Sequence, residues 1–138
     1  MTETFILIKP DAVWRKLVGK ILSRFERKGL DIVDMRMLEL TERQAHTLYQ
    51  KFAGKDFLPR IIEFMTGGPC IVAILACEHD EAIDVVRKLI GATGTDPPDV
   101  ASIRGEFAES FSRNVIHASD SHEAVSREIR LFFPGYYD

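Results

Sequence analysis

"CIVAILAC", residues 70–77, carries no charge and is apolar from end to end. "TGGPC" (66–70) breaks the chain just before it. A compact apolar run of that length reads as a strand at the centre of a sheet. Working outward, a short helix over 59–66 precedes it. Before that comes a helix that Thr41 would cap and that buries Ala45, Leu48, Tyr49 and Phe52. "LDIVDMRMLEL" (30–40) sets Val33, Met35 and Met37 on one face and Asp34 and Arg36 on the other, as a half-buried strand does. "LVGKILSRF" (17–25) puts Leu17, Val18, Ile21, Leu22 and Phe25 on one helical face, closed by Gly29. "TFILIKP" (4–10) is the first strand, ended by Pro10 and Asp11. Downstream, "DEAIDVVRKLI" (80–90) is a helix with Ala82, Val85, Val86 and Leu89 inward and Gly91 at its end. An irregular stretch, "GATGTDPPDVASIRG" (91–105), leads to a short strand ending at His117, a helix over 121–132 and a tail, "PGYYD".

Two strand–helix–strand halves in this order predict an α/β (α+β) sandwich of the ferredoxin-like kind, a four-stranded antiparallel sheet covered by helices. No repeat, low-complexity run or linker divides the 138 residues, so one domain is expected over 1–138. A net charge of -3 argues against a general nucleic-acid binder, yet leaves room for a small anionic ligand held by a few cations. "MTETFILIKPD" has neither the charge pattern of a signal peptide nor the length of a membrane span. Cys70 and Cys77 would stand roughly 23 Å apart at strand rise, too far to bridge. Two unpaired thiols and no targeting segment point to a reducing cytoplasm.

"NVIHASDS" (114–121) raises the functional question. His117 ends a strand and could be a satisfied core residue, a metal ligand, a general base or a nucleophile. A metal site is disfavoured, because His46, His79, His117 and His122 show no ligand-pair spacing and the chain has no HExxH or CxxC. GxSxG and the P-loop GxxxxGK[ST] are also missing. Beyond the strand end, Asp120 and Glu123 have the spacing of a capping box for the last helix. That helix buries Ala124, Val125, Ile129 and Phe132, and Glu128 falls on the same apolar stripe. A carboxylate there needs a partner, and the imidazole of His117 is on offer. It would fix the tautomer and leave the other ring nitrogen free. The alternative is that Glu128 lies at the edge of the stripe and reaches water. Spacing does not separate nucleophile from base.

"NVIHASDS", with "SIRGEF" before it and "IKPDAV" near the start, resembles nucleoside diphosphate kinase. The likeness runs over essentially the whole chain, to "EIRLFF". The resemblance implies transfer of the γ-phosphoryl group of a nucleoside triphosphate such as ATP to a nucleoside diphosphate, ping-pong, through a phosphohistidine. His117 then matches the nucleophile, acting through Nδ1, Glu128 its orienting glutamate and Ser119 the neighbouring hydroxyl. Lys9 matches the lysine that reaches the ribose 3′-hydroxyl and the transferred phosphate. Arg87, Thr93 and Arg104 match the phosphate clamp, Asn114 the sugar contact, Phe57 the ring on which the base stacks, and Tyr49 a tyrosine bordering the histidine. Mg²⁺ is implied as a cofactor carried by the nucleotide phosphates, with no protein metal ligands. A homohexamer is implied, with a homotetramer as the alternative, and no nucleic-acid or membrane partner.

Taken singly, several of these have plainer readings: Lys9 a solvated strand end, Arg87 a surface arginine, Asn114 a turn residue, Phe57 and Tyr49 core. Two features depart from the family pattern. Ala118 stands where many relatives have glycine, and would be strained at positive φ. Ala92, Gly94 and Thr95 alter the long loop, which in this family helps form trimer contacts. Ala118 is therefore expected at ordinary negative φ, and Tyr136 and Tyr137 are expected to pack on something. A non-enzymatic nucleotide-binding module on the same fold is the first rival, which the set Lys9, Arg104, His117 and Glu128 argues against. An RNA-binding ferredoxin-like domain would want aromatics on the sheet face and a basic surface, and "CIVAILAC" has no aromatics.

Overall fold

Along β1 (Thr2–Ile8) burial does not alternate. Phe5 and Leu7 pack into one apolar cluster and Ile6 and Ile8 into another, all four fully buried. A strand buried on both faces must lie inside a sheet with a layer on each side. The computed structural model describes residues 1–91, 101–110 and 113–138. Its sheet runs in the order β2-β3-β1-β4, with β2 at Asp31–Glu39, β3 at Pro69–Cys77 and β4 at Ile116–Ala118. All three pairings are antiparallel. This is the ferredoxin-like sandwich expected, with "CIVAILAC" inside the sheet between β2 and β1.

The helices supply the outer layers: α1 (Pro10–Trp14), α2 (Val18–Arg27), α3 (Glu42–Leu48), α4 (Leu58–Met65), α5 (Ala82–Ile90), α6 (Ile103–Phe107) and α7 (His122–Phe132). A 3-10 turn, Gln50–Phe52, follows α3. Thr41 does cap α3, in a capping box closed by Gln44. Leu48, Ile62 and Ile129 pack on the Phe5 side of the sheet, Ile21, Val86 and Ile103 on the Ile6 side.

Four local expectations are corrected. Pro10 does more than end β1, because it opens α1, where its fixed φ suits the first helical turn. The inward face of α5 is Ala82, Ile83, Val86 and Ile90, with Val85 and Leu89 only half-buried. The cap of α7 is Ser121, whose Oγ accepts from Ala124 N at 3.1 Å, while Asp120 pairs with Lys51 at 3.4 Å. On β2 the half-buried residues are Ile32, Asp34 and Leu38, not the face expected inward. Met35 and Met37 sit opposite Ala73 and Ile71, yet Val33, Met35 and Met37 are 44%, 45% and 62% exposed. β2 is an edge strand, and only Ile32 at its start joins the cluster that contains α2. Ala118, by contrast, pairs with Ile6 in β4 and is not at positive φ.

Candidate active site

The site forms where β1 and β4 end side by side. Leu7 pairs with His117, so the chain leaves β1 at Lys9 beside the chain entering β4. Lys9 N–H donates to Val115 O at 2.8 Å, and Lys9 Nζ donates to Asn114 Oδ1 at 2.7 Å. Lys9 and Asn114 are both buried. Burial and, next, the Arg104 charge lower the Lys9 pKa to about 7. The segment that delivers the histidine is itself strained. Val115 has φ 67°, and Ile116 N–H donates to Asn114 O at 2.9 Å, closing a γ-turn.

His117 Nε2 and Glu128 Oε1 are 2.8 Å apart. Ser119 Oγ donates to the same oxygen at 2.8 Å, and Arg127 Nη2 lies 3.5 Å from Oε2. Glu128 is 2% exposed, which settles its place on the buried side of α7 and not at a wet edge. An ionised carboxylate only accepts, so Nε2 carries the proton and Nδ1 keeps a lone pair. Nδ1 has no hydrogen-bond partner among the described residues.

His117 also lines a cleft together with Lys9, Asn114, Arg87, Arg104 and Tyr49, with Lys51, Phe52 and Phe64 on its walls. Arg104 is buried and braces the floor, donating to Gly91 O and to Ile116 O, each at 2.8 Å. Its pKa is lowered to about 10 by burial and, next, by Arg87, so it remains a cation at neutral pH. Arg87 is exposed and donates to Ala118 O at 3.3 Å. Tyr49 meets the imidazole edge-on at 5.9 Å, and burial holds its hydroxyl well above the usual tyrosine range. Tyr49 Oη and Arg104 Nε are both buried with no partner among the described residues. Cations and unsatisfied donors around a concave space suit a polyanionic ligand.

Phe57 does not line the cleft wall. It is 40% exposed and stands edge-on to Phe52, 5.2 Å away, at the rim. Thr93 lies outside the described residues. Sequence reasoning missed Lys51, Phe52 and Phe64, for which no local signal exists, and Asp11, which sits inside the quoted "IKPDAV". Among the described residues no group of three or more His, Cys, Asp or Glu could hold a metal ion. The nearby carboxylates have partners: Glu128 as above, Asp120 on Lys51 and Asp11 on the Val115 N–H.

A family description for nucleoside diphosphate kinase matches residues 2–136. A protein of Methanocaldococcus jannaschii named nucleoside diphosphate kinase is 50% identical over 131 residues, covering 95% of this chain and 92% of that one. One of the same name from Staphylothermus marinus is 52% identical over 131 residues, with coverage of 95% and 92%. Among solved structures, the Aquifex aeolicus nucleoside diphosphate kinase superposes with TM-score 0.89 at 36% identity, covering 97% of this chain and 96% of the other. The apo enzyme from Encephalitozoon cuniculi gives 0.91 at 34% identity, with coverage of 96% and 89%.

Proposed function

The chain belongs to the nucleoside diphosphate kinase family, and from that premise we propose which of its residues perform the transfer. The reaction is that of a phosphotransferase. The γ-phosphoryl group of a nucleoside triphosphate passes to a histidine, the first nucleoside diphosphate leaves, and a second collects the group.

His117 is the nucleophile. The observation that carries this is the 2.8 Å contact that ties Nε2 to Glu128, on a histidine that lines the cleft and whose other nitrogen has no hydrogen-bond partner among the described residues. In the first half-reaction the Nδ1 lone pair forms a bond to the γ-phosphorus as the bond to the β,γ-bridging oxygen breaks. Glu128 holds the proton on Nε2 and offsets the positive charge that grows on the ring, and Ser119 keeps Glu128 in place. The second half-reaction reverses these steps onto the terminal oxygen of the acceptor diphosphate.

Lys9 reaches the ribose 3′-hydroxyl and the moving phosphoryl group, and Asn114 holds the sugar. Arg87, Arg104 and Thr93 clamp the phosphates. Phe57 at the rim stacks on the base, which gives little discrimination among bases, and Tyr49 walls the histidine. Mg²⁺ arrives as part of the nucleotide substrate, where it neutralises phosphate charge. One domain spanning 1–138 holds all of these groups.

The protein works in the cytoplasm, in keeping with the free thiols of Cys70 and Cys77. It assembles as a homohexamer, with a homotetramer as the alternative. The open edge of β2 and its exposed Val33, Met35 and Met37 support self-association. Incubation with γ-labelled ATP, followed by mapping of the acid-labile phosphate, tests the assignment. Label on any residue other than His117 would remove it.

A further inference from the structure

Four hydrogen bonds hold the strained turn before His117, and one of them comes from a buried carboxyl group on another element. Val115 is a β-branched residue in the left-handed region, which such side chains avoid. Its carbonyl is satisfied by Lys9 N–H, the Ile116 N–H by Asn114 O, and the Ile116 carbonyl by Arg104. That leaves the Val115 N–H, in a fully buried residue. Asp11 Oδ2 accepts from it at 3.2 Å. Asp11 is 3% exposed, and its Oδ1 is buried with no partner among the described residues. Burial raises its pKa, against the opposing pull of the Lys9 charge and of the backbone N–H groups of Val115, Ala12 and Asp11. Asp11 stands in the first turn of α1, where the helix start favours an acidic side chain, but no side chain caps that helix at Lys9 and the carboxylate reaches past the helix to Val115. Its bond to Val115 N–H ties the first turn of α1 directly to the strained turn.

We infer that Asp11 is a positioning residue for phosphotransfer: by accepting from Val115 N–H it keeps the γ-turn in its left-handed form and so sets Asn114 and His117 on the cleft. This rests on the reading of His117 as nucleophile. If the turn opened, Val115 would relax to negative φ. Asn114 and Lys9 would separate, and Nδ1 would swing off the line to the phosphorus. Displacements on the order of 1 Å at a reacting atom can cost up to about a hundredfold in rate.

The test is single-turnover phosphorylation of His117 by ATP, mapped by mass spectrometry, with melting curves recorded alongside. Asp11→Ala should phosphorylate at least about tenfold more slowly than wild type at a temperature where both are folded. Asp11→Asn keeps an oxygen on the Val115 N–H and should stay within about threefold. In a Val115→Gly background the left-handed turn no longer needs a clamp, so adding Asp11→Ala should cost less than about threefold. A role confined to stability would lower the melting temperature of Asp11→Ala equally in both backgrounds and leave the rate alone. Phosphorylation of Asp11→Ala at the wild-type rate overturns the inference. So does Asp11→Asn as slow as Asp11→Ala, or equal losses in both backgrounds. If Asp11→Ala does not fold, the double variant with Val115→Gly must fold and phosphorylate, and its failure to do so also overturns the proposal. Wild type unlabelled at His117 would instead bring down the underlying site reading.

Discussion

Lys9 sits with its ammonium against Asn114 and its proton affinity lowered to about 7. An unfolded chain holds that proton to about pH 10.5, so between the two values the unfolded state binds more protons. Stability contributed through Lys9 therefore rises as pH rises across that window. Bound phosphates reverse the balance by favouring the ammonium. At pH 8, nucleotide binding should take up protons, and Lys9→Met should take up fewer. Calorimetry in buffers of different ionisation enthalpy checks this. His117→Ala should abolish phosphoenzyme and turnover while nucleotide still binds. Residual turnover within about tenfold of wild type would mean that another group carries the phosphate. Glu128→Gln should slow phosphorylation markedly, since a dipole replaces a charge at Nε2. Phe57→Ala should weaken all nucleotides alike, by about 1–3 kcal/mol if stacking is its contribution. The His117–Glu128 pair was legible in the sequence because a carboxylate on an apolar stripe demands a partner. The strain at Val115 was not, because "NVIH" looks like any strand entry and the left-handed turn exists only through contacts with Lys9 and Asp11, more than a hundred positions away.

Among the elements, those whose pattern depends on their own residues were read correctly. Thr41 and Gln44 cap α3 by local chemistry alone, and "CIVAILAC" is apolar enough to be buried whatever surrounds it. The elements whose burial depends on neighbours were misread. On β2 the alternation gives a face but not whether a helix lies over it, and on α5 the stripe is rotated by which side meets the sheet. The start of α7 was misplaced by one residue, since Asp120 is a plausible cap until Lys51 engages it. Ser121→Ala should therefore lower stability by about 1 kcal/mol, read from the urea midpoint, with Asp120→Ala costing less. Ala118→Gly should also destabilise, by about 0.5–1 kcal/mol, because Ala118 is in ordinary strand backbone and glycine there only adds freedom to the unfolded chain. A stabilised variant would place the strain at Ala118 after all.

At the scale of the molecule, the order of strands and helices was enough for the fold class, whereas strand order in the sheet was not. Nothing local tells β1 that it pairs with β3 on one side and β4 on the other. The tail that was expected to pack does so on its own chain: Tyr136 lies against the Phe5-side core and donates to Glu3, and Arg130 stacks over Tyr137. Tyr137 remains 45% exposed. If β2 joins copies, Met35→Lys with Met37→Lys should reduce the mass seen by light scattering and make melting depend on protein concentration. An unchanged mass would mean that assembly uses another surface. The pairing of β1 with β4 also bears on how the protein is made. One half of the site, Lys9, emerges first from the ribosome, and the other half almost last. Until β4 docks, the β4-facing edge of β1 is open, and Lys9 lacks its bonds to Asn114 and Val115. If Lys9 and Asn114 hold the nucleotide as proposed, catalytic competence in refolding should return only with the closure of this long-range pair.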